Sequence, residues 1–144
     1  GGLDTRVYYA TMGGFDTHAN QKGDHARKLK QVGESLKAFQ QDINKQGNNK
    51  RVLTLVFSEF GRRVAENGSA GTDHGTAAPI FIIGDTIKPG IHGKHPSLKD
   101  LDQGDLKFNM DFRSIYQSIL DDWLMCDAKK ILGRKYKKQS ILKV

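Results

Sequence analysis

The chain has 144 residues, 37% hydrophobic and 27% charged, which is length enough for one domain with its own core and an ordinary folded composition. Its net charge of +7 is local: residues 129–144 carry seven of the 23 basic residues and no acid, leaving 16 bases against 16 acids elsewhere, which excludes a chain-wide polyanion-binding surface. No apolar run approaches the roughly eighteen residues of a membrane span, and the single cysteine, Cys126, excludes an internal disulfide and argues against a Cys-based zinc site.

Residues 6–11 (RVYYAT) are rich in β-favouring side chains and run into Gly13-Gly14, which predicts a strand ending in a tight turn. Phe15-Asp16-Thr17-His18 follows at once. In extended chain, residues two apart project to one side, so Asp16 and His18 share a face, with Asn20 next in the row. They read either as ligands to one ion or as a turn aspartate beside a surface histidine.

Asp24 predicts an N-cap for a long helix over 25–46. Ala26, Leu29, Val32, Leu36, Phe39 and Ile43 form an apolar stripe expected to pack on a sheet, and Gly47-Asn48-Asn49 stops the helix. Next come two apolar runs, 52–57 (VLTLVF) and 79–83 (PIFII), each with the look of a buried strand. Strand, helix, strand in this order predicts the βαβ unit of a parallel sheet with a right-handed crossover. The expected fold class is therefore α/β in a single domain over 1–144.

The polar loop between those two runs follows the first strand's carboxyl end, where open α/β sheets build their sites. Most of a metal-dependent site is expected within 58–75, completed by residues 13–18. Glu59 has the chemistry of a ligand or general base, Arg62 that of a clamp on an anionic oxyacid, and Arg63 that of surface charge. Residues 67–71 (NGSAG) are expected to be mobile around a substrate. In Asp73-His74 the acid either shares a divalent metal with the ring or orients the ring from behind.

The stretch 85–109 reads as loop. His92 and His95, three apart, are more simply exposed loop histidines than a second metal site, and Asp100, Asp102 and Asp105 do not match calcium-loop spacing, so they read as turn formers. Asp111 is expected to cap a last helix through about residue 125, with Phe112, Ile115, Ile119 and Trp123 on its core stripe. Cys126 reads as a small buried hydrophobe at that helix end, and 129–144 as a solvated basic tail without specific nucleic-acid affinity.

Three motifs in this order, GGFDTH at 13–18, SEFGR at 58–62 and GTDHGTAAP at 71–79, resemble the bacterial domain-of-unknown-function family 1501, which looks like a distant branch of the alkaline phosphatase–sulfatase superfamily. The resemblance covers nearly the whole chain and matches the carboxy-terminal portion of a longer family protein. It implies an alkaline phosphatase-like, three-layer parallel-sheet core flanked by helices, with one or two divalent metals (zinc, manganese or calcium) at the strand ends. Asp16 with His18 corresponds to the first ligand set, Glu59 to the acid of the second, and His74 to the third.

Two departures matter. Asp16 and His18 stand closer than the superfamily's usual gap, and Phe60 follows Glu59 where a histidine is expected, so Asp73-His74 is the alternative source of both ligands and one metal is easier to defend than two. The implied activity is hydrolysis of a small phosphate or sulfate ester, with Glu59 and Arg62 catalytic and the nucleophile on a segment upstream. The rival expectation is a non-catalytic domain that keeps a structural ion. Family members resemble exported proteins of the twin-arginine route, which implies a periplasmic or extracellular setting.

Overall fold

The structure, a computed structural model, describes residue 2 and residues 4–143. Residues 4–19 run without any ladder partner, so the β-favouring stretch 6–11 makes no strand; Arg6 instead donates to the Leu124 carbonyl at 2.7 Å. Helix α1 spans Gln21–Lys45, four residues earlier than Asp24 as a cap would place it. The backbone N–H groups of Asn20 and Gln21 donate to the carbonyls of Ser69 and Ala70, at 3.0 and 2.9 Å. A distant loop thereby satisfies N–H groups that helix starts leave open. Asp24 falls in the first turn, where a carboxylate complements the helix dipole. At the other end Gly47 takes φ 71° and Asn48 N–H returns to the Ile43 carbonyl, a Schellman stop.

Six short strands follow: β1 (Thr54–Val56), β2 (Gly61–Arg62), β3 (His74–Gly75), β4 (Phe81–Ile83), β5 (Leu101–Asp102) and β6 (Asp105–Leu106). They pair as three separate two-stranded sheets, β1 with β4, β2 with β3 and β5 with β6, all antiparallel. Helix α2 (Phe112–Ser118) continues as a π-helical turn over Ile119–Trp123, and α3 (Ala128–Leu132) comes last. As expected, Asp111 caps α2, its carboxylate accepting from Arg113 N–H at 2.9 Å.

The α/β expectation of a parallel three-layer, alkaline phosphatase-like core is overturned. Both apolar runs do become strands, but Thr54 faces Ile83 and Val56 faces Phe81, so β1 and β4 are the two arms of one long hairpin rather than successive parallel strands. The strand meant to precede α1 never pairs. Without it there is no crossover unit, and α1 has no sheet beneath it: none of its residues is buried, and Leu29 and Phe39 are 57% and 48% exposed.

What core there is lies late in the chain. Ile87, Ile115, Ile141 and Leu142 are buried together, with Leu53, Leu55, Ile80, Ile82, Met110, Ile119 and Trp123 packed around them. The basic end thus does more than meet solvent. Its lysines are exposed, while Leu142 bridges to Ile87 and the Ile141 carbonyl accepts from Lys88 N–H at 2.8 Å. The buried Ser118 hydroxyl sits between Gln139 N–H and the Gln139 carbonyl, at 2.8 and 3.0 Å, and fastens this segment to α2. Cys126 is half-buried just beyond the π-helical turn. The chain's accessible surface is 10629 Å² for 16.1 kDa, whereas a compact monomer of that mass exposes about 7,400 Å². Much apolar surface therefore stays wet, most of it outside this core.

Candidate metal centre

The hairpin formed by β1 and β4 carries its polar excursion at one end, and within that excursion β2 pairs with β3 so that Arg62 stands opposite His74. Beside this ladder lies the arm 13–18. Three side chains meet there. Asp16 Oδ1 is 2.9 Å from His18 Nε2 and 2.7 Å from His74 Nε2, and the two Nε2 atoms are 3.2 Å apart. Among the described residues this is the one group of three acidic or imidazole donors close enough to share an ion. All three remain open to solvent, with side-chain exposures of 65% for Asp16, 48% for His18 and 45% for His74.

The electrostatics suit a bound cation. Hydrogen bonding from His74 first, and from His18 less strongly, holds the Asp16 carboxyl below its ordinary value against a partial desolvation that pushes it up. Asp16 is thus kept ionised between two rings. Behind His18, its Nδ1 lies 3.7 Å from Asp73 Oδ1, too long for a hydrogen bond but close enough to bias the ring's orientation. His74 has a different support: the Phe60 ring stacks on it, centroids 3.7 Å apart and planes 13° from parallel.

Backbone contacts hold the two ligand segments together. Arg62 donates to the carbonyl of Phe15 at 2.6 Å and to that of Thr72 at 2.5 Å, one next to each ligand segment. Asn67 accepts from Ser69 N–H and Gly71 N–H, at 2.9 and 3.1 Å, and donates to the His18 carbonyl at 3.0 Å. The stretch 67–71, expected to be mobile, is therefore a hydrogen-bonded turn that docks the arm. Gly71 is buried, and a Cβ there would overlap the His18 carbonyl, so only glycine allows this approach. From below, Asp105 on β6 accepts from Thr76 N–H at 2.8 Å and braces the end of β3.

A family model described as Protein of unknown function (DUF1501) matches residues 3–131. The chain belongs to that family. No curated protein and no solved structure matches it.

In this DUF1501 member, Asp16, His18 and His74 come together, and Asp73 stands one step back, behind His18. Glu59 is exposed and lies outside the three-residue cluster. Arg62 has its guanidinium on two backbone carbonyls in addition to its place over the Phe60 ring, 5.0 Å from the centroid. His92 and His95 each bond a nearby carbonyl, of Lys88 and Pro96, at 3.0 and 2.8 Å. Sequence reasoning missed Asn67, Gly71 and Asp105 as builders of the site. For Asn67 a signal existed, since Asn before Gly is a residue whose side chain closes turns on nearby backbone N–H groups; for Asp105 nothing local marks its partner Thr76.

Proposed function

We propose that this DUF1501 protein binds one divalent transition metal through Asp16, His18 and His74 and acts as a metal-dependent hydrolase of small phosphate or sulfate esters. The observation that carries the metal reading is the meeting of one carboxylate oxygen and two imidazole nitrogens from segments 56 and 58 residues apart in sequence. Donors around a tetrahedral ion at ~2.0–2.1 Å stand about 3.3 Å from one another, and the observed separations of 2.7–3.2 Å need only a slight opening to admit one. Two imidazole nitrogens among three donors suit zinc better than calcium, which prefers oxygen throughout.

Bound there, the cation supplies positive charge for the anionic oxygens of an ester. The chain's own residues hold and aim the ligands: Asp73 biases the His18 ring, Phe60 backs His74, and Arg62 with Asn67 locks the arm to the turn. The high exposure of all three ligands leaves a face for substrate to approach. Glu59 is proposed as the general base from its position in the SEFGR motif, and the likeness of the motifs to the phosphatase–sulfatase superfamily supports ester hydrolysis and an exported, periplasmic or extracellular setting.

A second reading, a non-catalytic exported domain with a structural ion, is favoured by the engagement of Arg62 with the Phe15 and Thr72 carbonyls, which leaves it less free for a substrate anion. Turnover of aryl phosphate and aryl sulfate by the complete protein separates the two. The hydrolase reading expects activity that chelation abolishes and zinc or manganese restores; metal bound without turnover of either ester selects the structural role.

A further inference from the structure

Resting on the metal reading above, we propose that Phe60 is a positioning residue for the metal centre, fixing the plane of the His74 ring by stacking in place of the hydrogen bond that usually does so. A ligating histidine ordinarily donates its second ring N–H to a carboxylate, carbonyl or water, and this partner sets the tautomer and the ring's direction. His18 has Asp73 on that side, at 3.7 Å. His74 has no such group: its hydrogen-bond contacts among the described residues are both through Nε2, to Asp16 and to His18. What confines its ring is the half-buried phenyl of Phe60, nearly parallel at 3.7 Å.

The form of the contact suits a ligated ring. Two neutral aromatic rings prefer an offset or edge-on arrangement, with centroids about 4.5–7 Å apart, over a close face-to-face sandwich. A ring that carries positive charge is attracted to an aromatic face instead. An imidazole gains such character when its Nε2 gives electron density to a cation, so coordination strengthens the stack and the stack favours coordination. Arg62, opposite His74 in the β2–β3 ladder, adds its guanidinium over the same phenyl ring and limits where that ring can turn. The ladder therefore delivers the ligand from one strand and its backing from the residue just before the other.

The test compares zinc titration calorimetry on the wild type, Phe60→Leu and Phe60→Tyr, together with the proton NMR signals of the His74 ring. Leucine keeps apolar bulk without a ring face, and its zinc affinity is expected to fall about tenfold to a hundredfold, the usual cost of losing a group that orients a ligand. Tyrosine keeps the face and should bind zinc within a few-fold of wild type. In the metal-free proteins the His74 ring signals should lie upfield in the wild type and Phe60→Tyr and move downfield in Phe60→Leu. Unchanged zinc affinity in Phe60→Leu, or a tenfold loss in Phe60→Tyr, overturns the positioning role while leaving the metal site itself standing. A wild type that takes up no zinc or manganese sinks the metal reading and this role together. An unfolded Phe60→Leu leaves the decision to Phe60→Tyr.

Discussion

The two halves of this molecule are held by different forces. From Ile87 onward the chain has an apolar centre, with Ile115, Ala128, Ile141 and Leu142 all buried. Before Ile87, among the described residues, only Gly61 and Gly71 are buried, and Leu53, Leu55, Ile80 and Ile82 reach that centre half-buried at its edge. Yet the earlier half carries the candidate metal centre, assembled by Arg62, Asn67 and close backbone approach rather than by hydrophobic packing. Polar clamps of this kind contribute little net stability each, about 0.5–1.5 kcal/mol, but they specify position sharply. A metal adds its binding free energy to whichever state holds its ligands in place, so the half with least core has most to gain from one.

The largest expected effect separates the halves. Ile141→Ala removes a side chain that is 1% exposed from the buried apolar cluster and should cost about 2–5 kcal/mol in denaturant unfolding. Under native conditions that variant should bind zinc as the wild type does. Zinc affinity lost in proportion to stability instead shows that the two halves fold as one unit.

Gly71→Ala inverts the pattern. Its methyl group meets the His18 carbonyl, so the arm must move; the expected cost is about 1–3 kcal/mol, and the zinc affinity should fall with it. Normal zinc binding by this variant would show that the arm's docking is not needed for the site. Asn67→Ala is milder. It strips the bonds to Ser69, Gly71 and the His18 carbonyl, and should speed amide exchange at Gly71 while the amides of α2 stay protected. Uniform exchange across both halves contradicts a local role.

How much of this was readable beforehand follows the same division. Several features that depend on neighbours in sequence match: Asp111 as a cap, Ile115, Ile119 and Trp123 on the core side of the last helix, and the stop at Gly47; but Phe112 is 50% exposed, and neither the 6–11 strand nor the Asp24 cap forms. Features that depend on partners far along the chain mostly do not, the approach of His74 to Asp16 and His18 excepted. Apolar runs reveal that strands exist but not their direction, and a strand–helix–strand order implies parallel pairing only if the first strand pairs, which 6–11 does not. The start of α1 was displaced because its first N–H groups are satisfied by Ser69 and Ala70, about fifty residues away. Counting charge over 129–144 hid Ile141 and Leu142, two apolar residues that matter more to the fold than the lysines around them. The turn at Gln103-Gly104, with φ of 47° and 83°, is the two-residue hairpin connection its glycine permits, yet the loop reading missed β5 and β6.

The smallest effect is a matter of pH in the packed half. Hydrogen bonding from the Arg113 side chain holds the Asp111 carboxyl below its ordinary value, so its contribution to folding is present in full above the unfolded carboxylate pKa of about 3.9 and disappears as pH falls through the lower folded value. Unfolding midpoints measured from pH 5 downward should fall less steeply in Asp111→Asn than in the wild type. Parallel curves remove Asp111 as a source of acid sensitivity.

The account stands on three donors sharing a single ion, and metal stoichiometry on the folded chain tests that most directly. Equilibrium dialysis against zinc should leave one ion per chain in the wild type and none in His74→Ala, whose fold by circular dichroism is unchanged. One zinc retained in His74→Ala, or none in the wild type, contradicts it.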